Sequence, residues 1–314
     1  MLATVAICTL NHAESLRRML ESLVAIAIPD HIGWEVVVVN NGCTDHTSEV
    51  VAQFANRLPL RLEVEPERGL SRARNCAVDA AQGDYMVWTD DDVVLDPGWL
   101  AGYTSAFRRY PTAAVFGGPV FPRYEPPVPR WILESETMLR GVFGNWNIGD
   151  QERPLWDAKN VYYMPCGPNF ALRTAEQRKF RYNLQLGMAP GQNRRGEEID
   201  VLERVRVSGA SGYWVPGARV EHCARRDMQT IRYVTDYYRS SGETDAFLWG
   251  RPAGPAWFGV PRWLWRQSIE GWLLFHLLRP VAPAPVWIRH LRAYNTAWGA
   301  VRYWRGRRQP RTLG

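Results

Sequence analysis

Three consecutive aspartates, Asp90, Asp91 and Asp92, directly follow the apolar run at residues 85–89. Such a run predicts a buried strand, in which Asp90 and Asp92 point to the same side of the backbone. Three adjacent carboxylates repel one another unless a cation lies between them. Because Mg²⁺ and Mn²⁺ prefer hard oxygen ligands and often bind phosphate too, the pattern predicts a divalent-metal site. The alternative is an acidic loop that caps a helix near Pro97, which would need only one aspartate.

Repeating strand and helix patterns over the first 95 residues predict the elements that would position these aspartates. Strands are predicted at residues 4–9, 35–39, 60–64 and 85–89, and helices at 14–26, 45–54 and 71–81. Repeated βα units fold into a mostly parallel sheet with helices on both faces. Ligands of such sheets bind beyond the carboxyl ends of the strands. The sequence therefore predicts an α/β, Rossmann-like fold with one shared site at those ends.

The pattern beyond residue 97 is less regular. Five prolines within residues 119–129 predict an extended loop. Helical patterns return at 196–207 and 230–241, and prolines at 252, 255 and 261 predict a boundary. Two last helices are predicted at 262–279 and 285–304.

Six short segments, in their order along the chain, resemble the motifs of the family 2 glycosyltransferases, which have the GT-A fold. The segments are residues 4–11 (TVAICTLN), 37–45 (VVVNNGCTD), 69–75 (GLSRARN), 90–92 (DDD), 167–170 (GPNF) and 196–200 (GEEID). The resemblance implies a GT-A catalytic domain at residues 1–250, with a nucleotide-binding half at 1–95 and an acceptor-binding half at 96–250. Residues 251–314 would form a basic, tryptophan-rich helical extension.

The resemblance implies an inverting, metal-dependent glycosyltransferase of the hexosyltransferase type. It would transfer a sugar from a nucleotide-sugar donor to a hydroxyl of a glycan or lipid-linked acceptor, in surface polysaccharide or glycolipid synthesis. Asp90 and Asp92 would hold Mn²⁺ or Mg²⁺, and several relatives have a further histidine ligand at the position of His222. The alternatives for His222 are a structural role, or a zinc site formed with Cys166 and Cys223.

The donor site implied by the resemblance includes Thr9, Asn11, Asn40, Asp90 and Asp91. Thr9 and Asn40 would contact the base of the nucleotide. The family usually has aspartate where this chain has Asn40. An asparagine carbonyl can still accept from a uracil N–H, but the amide can also donate. The resemblance favours a UDP-sugar as donor, and the departure at Asn40 leaves GDP- and dTDP-sugars as alternatives.

The remaining site residues would act on the phosphate and the acceptor. Arg74 could bind phosphate oxygens in bidentate fashion, and a solvated helix arginine is the alternative. Gly167 and Asn169 resemble the family's acceptor-side loop. The acceptor hydroxyl needs a base, and the resemblance assigns this role to Glu198, with Glu197 as the alternative. Either acid could instead stabilise a helix N-terminus.

Positive charge is concentrated at the C-terminal end of the chain. The net charge is +6, yet residues 255–314 alone hold ten arginines and a single acid, Glu270. Nine of the fifteen tryptophans lie from Trp214 onward. This composition predicts either a surface for anionic lipid headgroups or helices packed on the catalytic domain. No nucleic-acid-binding motif accompanies the arginines, so nucleic acid is not an expected partner.

The expected location is cytoplasmic, peripheral on the inner face of the membrane. The first residues lack the basic start of a signal peptide, and no apolar run approaches the roughly 20 residues that span a bilayer. Five widely spaced cysteines without a CxxC pair favour a reducing compartment.

Two other functions would suit the same fold. A nucleotidyltransferase that forms sugar nucleotides usually begins with a glycine-rich phosphate loop, which the turn at residues 9–11 is not. A noncatalytic sugar-nucleotide-binding protein would not need the acids Asp90, Asp92 and Glu198.

Overall fold

A computed structural model describes residues 1–29, 32–157, 162–250 and 254–306. The chain forms two compact units. The first comprises Met1–Arg123, Phe143–Gln192 and Gly196–Cys223. The second comprises Tyr124–Val142, Asn193–Arg195 and the described part of Ala224–Gly314.

The secondary structure alternates between strands and helices over most of the first unit. The strands are β1 (Leu2–Thr9), β2 (Gly33–Asn40), β3 (Leu60–Val64), β4 (Tyr85–Asp90), β5 (Val93–Leu95), β6 (Val115–Gly117), β7 (Val120–Tyr124), β8 (Arg153–Pro154), β9 (Asn169–Arg173), β10 (Gly212–Trp214), β11 (Val220–Ala224), β12 (Ala256–Trp257) and β13 (Val260–Pro261). The helices are α1 (Ala13–Val24), α2 (Thr47–Ala52), α3 (Leu70–Ala80), α4 (Trp99–Arg109), α5 (Arg130–Leu133), α6 (Glu136–Phe143), α7 (Thr174–Lys179), α8 (Glu197–Val207), α9 (Ile231–Leu248), α10 (Arg262–Leu278) and α11 (Ala284–Gly306).

An eight-stranded sheet with the order β3-β2-β1-β4-β9-β6-β10-β8 forms the framework of the first unit. Strands β3, β2, β1 and β4 are parallel, and β10 is parallel to β6. Strand β9 is antiparallel to both β4 and β6, and β8 is antiparallel to β10. The predicted α/β fold with a mixed, mostly parallel sheet is confirmed.

Both faces of this sheet are covered, because alternate residues of its central strands join different hydrophobic clusters. Val36 and Val38 belong to the cluster that contains the buried side chains of α1 and α4. Val37 and Val39 belong to the cluster that contains buried side chains of α3 and α8. A strand that is apolar on both faces is typical of a sheet with helices on either side.

A three-stranded sheet with the order β5-β11-β7 follows the aspartates of β4. Its presence shows that the predicted loop at residues 119–129 is partly wrong, because Val120–Tyr124 forms β7. Pro122 is compatible with this strand because β7 lies at the edge of the sheet, where one side needs no ladder donors. The backbone N–H of Cys223 donates to the carbonyl oxygen of Asp92 at 2.8 Å, which fixes β11 beside the aspartate turn.

The second unit contains α9, α10 and α11, and α11 packs against both of the others. A Cβ atom at Gly242 of α9 would lie 1.8 Å from the carbonyl oxygen of Thr296. A Cβ atom at Gly299 of α11 would lie 2.1 Å from the carbonyl oxygen of Arg239. Only glycine permits such close contact between two helix backbones.

The two predicted C-terminal helices are confirmed as α10 and α11. Helix α9, which the sequence assigns to the acceptor-binding half, belongs to the same compact unit as these helices. The domain boundary after residue 250 stays a prediction, and residues 251–253 next to it lie outside the described residues. In the described parts of the chain, no helix combines the length and the apolar character that crossing a membrane requires.

Candidate active site

The carboxyl ends of β2, β1 and β4 lie side by side at one edge of the large sheet. Thr9 pairs with Asn40, and Cys8 pairs with Asp90 in the registers of these strands. Thr9 and Asn40 are buried, whereas the Asp90 side chain is 37% exposed and so accessible to a ligand. The structure thus brings together the strand ends that the sequence predicts to share a site.

Two of the predicted donor-site residues hold the turns at this edge. The Asn40 Oδ1 accepts from the backbone N–H of Cys43 at 2.7 Å, and its Nδ2 donates to the Ser48 Oγ at 3.3 Å. Asn11 has a positive φ of 57°, and its Oδ1 accepts from the backbone N–H of Thr44 at 2.7 Å. The turn after β1 is therefore bonded directly to the turn after β2.

Asp91, the central aspartate, is buried and paired with a histidine. Its two carboxylate oxygens each lie 3.2 Å from the His12 Nδ1. Burial raises the pKa of Asp91, and the hydrogen bond from His12 opposes this shift. Asp91 therefore holds His12 in place, directly before the first residue of α1.

Asp92 faces His222, which the structure brings from β11. The Asp92 Oδ1 lies 3.6 Å from the His222 Nε2, and both side chains are mostly buried. The His222 Nδ1 lies 3.1 Å from the carbonyl oxygen of Phe143. Because a carbonyl oxygen can only accept, Nδ1 carries the proton in this bond. Nε2 is then the ring nitrogen that faces Asp92, and metal-binding histidines are held in the same way by a hydrogen bond from their other nitrogen.

The guanidinium of Arg74 is buried in the middle of these acids. Its Nη2 lies 3.6 Å from the Asp90 Oδ1, and its Nε lies 3.5 Å from the Glu197 Oε1. The rings of Trp88 and Tyr182 each lie 5.4 Å from its central carbon. Burial alone would lower the pKa of Arg74, but the surrounding negative groups raise it above its ordinary value. Arg74 is therefore charged, and the alternative of a solvated helix arginine is wrong.

Asp90 is held between attraction to Arg74 and repulsion from its neighbours. Desolvation, together with the charges of Asp92 and Asp91, raises the pKa of the Asp90 carboxyl to about 6. Arg74 and His222 act in the opposite direction. The carboxylates at the end of β4 are thus close enough to disfavour one another's charge, as the sequence predicts.

Glu197 and Glu198 begin α8 after Gly196, which has a φ of 83°. Glu197 is buried against Arg74. A Cβ atom at Gly167 would lie 3.0 Å from the Glu198 Oε1, so Glu198 contacts the predicted acceptor-side loop. Desolvation and the charge of Glu197 together raise the pKa of Glu198 to about 7, although the positive charge of Arg74 opposes this rise.

Asn169 has a different environment from the one that the resemblance implies. Its side chain is fully buried. The Oδ1 accepts from the Trp99 Nε1 at 2.9 Å and from the Tyr103 hydroxyl at 2.8 Å. The Nδ2 donates to the carbonyl oxygens of Pro119 and Ala218 at 2.9 and 2.7 Å. These four bonds use the full capacity of the amide, so the side chain has no group left for a sugar.

The predicted metal ligands lie near one another without forming a closed site. Within the described ranges, no group of three or more His, Cys, Asp or Glu side chains is arranged to hold a metal ion. This applies to Asp90, Asp92 and His222, and equally to the zinc alternative of Cys166, His222 and Cys223. Metal binding therefore stays a prediction that rests on the types of these side chains.

Sequence reasoning missed several residues that build the site. His12, Trp88 and Tyr182 bind or enclose Asp91 and Arg74. His12 directly follows the turn at residues 9–11, and this position in the sequence could have indicated that it lies near the site. Tyr182 is more than a hundred residues from Arg74 along the chain, and no local pattern indicates that contact.

Residues 4–177 match the family described as Glycosyl transferase family 2, and the chain belongs to this family. A similar protein is the succinoglycan biosynthesis protein ExoM of Rhizobium meliloti (strain 1021), which is 27% identical over 248 residues, covering 78% of this chain and 74% of that protein. The pre-mycofactocin glycosyltransferase of Mycobacterium tuberculosis (strain ATCC 25618 / H37Rv) is 26% identical over 232 residues, or 72% of this chain and 43% of that protein.

Solved structures of glycosyltransferases have the same fold. The mannosyltransferase PcManGT from Pyrobaculum calidifontis, in complex with GDP-Man and Mn²⁺, superposes with a TM-score of 0.56 at 18% identity, covering 98% of this chain and 76% of that one. S. aureus TarS 1-349 in complex with UDP-GlcNAc superposes with a TM-score of 0.54 at 16% identity, covering 98% of this chain and 92% of that one. The GT-A fold implied by the sequence resemblance is confirmed.

We expect Asn169→Ala to destabilise the protein, because it removes the hydrogen-bond partner of the buried Trp99 Nε1, Tyr103 hydroxyl and Ala218 carbonyl groups. The loss should be at least about 3 kcal/mol, since each unsatisfied buried group costs roughly 1–3 kcal/mol. Urea denaturation measures it. The exposed Asn147→Ala is the control and should cost less than about 1 kcal/mol. A stable Asn169→Ala variant that fails to bind its acceptor would instead give Asn169 a ligand-binding role.

Proposed function

We propose that this chain is an inverting glycosyltransferase that transfers a sugar from a nucleotide donor to a hydroxyl of a glycan or lipid-linked acceptor. The observation that carries the proposal is Glu198, a carboxyl with a pKa raised to about 7, in one cluster with Arg74 and Asp90. Membership of the family supports the reaction class. The names of relatives, such as the succinoglycan biosynthesis protein, support a role in polysaccharide or glycolipid synthesis.

Glu198 is the proposed general base. A base is most effective when its pKa lies near the working pH, and the raised pKa of Glu198 meets this condition. The acceptor oxygen would attack the anomeric carbon as the bond to the diphosphate breaks, and the acceptor proton would pass to Glu198. One displacement inverts the anomeric centre. Glu197 is not the base in this proposal, because its carboxylate is already paired with Arg74. Its role is to hold the Arg74 guanidinium in place.

Arg74 is the proposed cationic contact for the donor diphosphate. The Arg74 Nη1 is buried and has no hydrogen-bond partner among the described residues. Buried donors are almost always paired, so this unpaired nitrogen, in a guanidinium whose Nη2 faces Asp90, supports a bond to a phosphate oxygen when the donor is bound. Its positive charge would also favour departure of the diphosphate.

The side chains of Asp90, Asp92 and His222 fit a divalent metal. The carboxylates of Asp90 and Asp92, which repel each other when both are charged, and a histidine with Nε2 directed at Asp92 are suitable donors for Mn²⁺ or Mg²⁺. The structural relative that contains Mn²⁺ supports this assignment. A metal bound there would stabilise the charge on the departing diphosphate.

The proposed donor is a UDP-sugar, with GDP- and dTDP-sugars as alternatives. The structural relatives contain UDP-GlcNAc in one case and GDP-Man in the other, so both base types suit the fold. Thr9 and Asn40 remain the proposed base contacts, and Asn11 and Asp91 hold the turns around them. We also propose that the protein acts in the cytoplasm, peripherally at an anionic membrane surface.

We expect Glu198→Gln to lower kcat for sugar transfer by about 10² or more, the usual contribution of a general base. Donor affinity, measured by calorimetry, should change little because glutamine keeps the size of the side chain. Glu203→Gln, on the same helix but paired with Arg206 at the surface, is the control and should remain active. An active Glu198→Gln together with an inactive Glu197→Gln would assign the base to Glu197.

We expect Asp92→Ala to abolish Mn²⁺-dependent binding of UDP while the protein stays folded. Removal of one carboxylate takes a hard oxygen ligand from the proposed metal site. Calorimetric titration of UDP with and without Mn²⁺ measures the effect, with the exposed Asp150→Ala as control. If Asp92→Ala binds UDP with the same Mn²⁺ dependence as the parent protein, Asp92 is not a metal ligand.

A further inference from the structure

Exposed apolar side chains are concentrated in one short part of the chain. Of the twenty large hydrophobic residues exposed among the described residues, eleven lie between Trp249 and Val286. Scattered exposed apolar residues are normal, but a contiguous group of them marks an interaction surface. The group centres on α10.

Helix α10 has two contrasting faces. Leu264, Ser268, Gly271 and Phe275 are buried on one face. A Cβ atom at Gly271 would lie only 2.7 Å from the Tyr294 Cβ, so this face packs tightly against α11. One face of α10 is therefore buried against another helix of the tail itself.

The exposed side of α10 carries apolar side chains beside the Arg266–Glu270 ion pair, and we call these apolar side chains the outer face. Its members are Trp263 (51% exposed), Ile269 (57%), Trp272 (48%), Leu273 (46%) and Leu277 (67%). A helix on the surface of a water-soluble unit normally presents polar residues to solvent. Among the described residues, these five side chains remain about half exposed or more. They are therefore available for contact with a partner outside the chain.

The β12–β13 hairpin adds two exposed aromatic residues at the start of α10. Trp257 is 53% exposed and Phe258 at the turn is 89% exposed. The φ of Phe258 is 50°, a conformation that suits glycine or asparagine better than a bulky aromatic residue. The guanidinium of Arg262 lies 5.0 Å from the ring of Trp257, which joins the hairpin to the first residue of the helix.

Arginines surround this apolar surface. Residues 254–306 contain seven arginines, all exposed, and Glu270 is the only acid there. Arg262, Arg266 and Arg279 lie on or directly after α10. An apolar face with tryptophans and flanking arginines is typical of helices that lie in a membrane interface, with the arginines at the headgroups.

We propose that the outer face of α10, together with the Trp257–Phe258 turn, binds the interface of an anionic lipid bilayer. This deepens the proposed function, on which it rests, by naming the surface that holds the enzyme where lipid-linked acceptors are found. Seventeen helical residues extend about 25 Å, and such a helix would lie along the bilayer surface. A second copy of the chain is a poorer partner, because two outer faces would bring their arginines together.

The test is sedimentation of the full chain with vesicles at low and high salt. Vesicles of equal parts phosphatidylglycerol and phosphatidylcholine should bind the protein at low salt, and phosphatidylcholine alone should not. High salt should weaken binding, because screening reduces the attraction of arginine for headgroups. Arg266→Gln and Arg279→Gln should each lower the partition coefficient about fivefold, the usual contribution of one basic residue near an anionic surface.

A matched pair of variants tests the surface itself. Leu277→Glu and Val207→Glu introduce the same charge at side chains that are 67% and 69% exposed, the latter on α8 of the first unit. Leu277→Glu should lower the partition coefficient about tenfold or more, and Val207→Glu should leave it near the parent value. Trp272→Glu is a second variant on the outer face. Unchanged melting temperatures would show that all three remain folded.

Several results would overturn the proposal. These are no binding to anionic vesicles at low salt, equal binding to neutral vesicles, or equal effects of Leu277→Glu and Val207→Glu. A dimer in analytical ultracentrifugation that Leu277→Glu dissociates would instead identify a second copy as the occupant. Hydrolysis of the nucleotide sugar in the absence of lipid should be the same for Leu277→Glu and the parent chain, so failure of membrane binding is distinguishable from failure of the proposed enzymatic activity.

Discussion

One buried guanidinium, that of Arg74, lies among three acids of the candidate site, Asp90, Glu197 and Glu198. Asp90 approaches it from β4 and Glu197 from α8, at 3.6 and 3.5 Å, and Glu198 lies within its electrostatic influence. Burying a single charge is very unfavourable, and removing one partner of a buried ion pair typically costs about 3–5 kcal/mol. The position of α8 relative to β4 is therefore coupled to the charge of Arg74. Trp88 and Tyr182 exclude water from the guanidinium and strengthen this coupling.

The same arrangement gives the acids different properties. Glu197 is bonded to Arg74 directly, whereas Glu198, one residue further along α8, contacts Gly167 and has a pKa raised to about 7. Two carboxyls with different environments can serve different roles in catalysis. The loop that contains Gly167 is fixed in turn by Asn169, whose four hydrogen bonds join β9 to α4 and to the residues around β11. A buried amide thus anchors the segment that follows Gly167, the residue against which Glu198 lies.

The sequence predicted the parts of this site that depend on local patterns. Buried strands ending in Thr9, Asn40 and Asp90 were predictable because parallel strands place their carboxyl ends at one edge. The antiparallel direction of β9 was not predictable, since the pattern of apolar residues in a strand does not depend on the direction in which the strand runs. The structural role of Asn169 was not predictable either, because its partners lie between 49 and 70 residues away along the chain. Likewise, the composition of the tail indicated an interaction surface, but only the packing of α10 against α11 separates the buried face from the exposed one.

The central claim is that burial and Glu197 raise the pKa of Glu198 while Arg74 limits this rise, and infrared titration of the Glu198 carboxyl tests it most directly. The difference between spectra of the parent protein and Glu198→Gln isolates the band of this one side chain. We predict a titration near pH 7 in the parent protein. Because a positive charge favours the carboxylate, Arg74→Gln should move the titration to higher pH and Arg74→Lys should largely preserve it. A titration at the ordinary pH of a glutamate, or one that Arg74→Gln leaves unchanged, would contradict the claim.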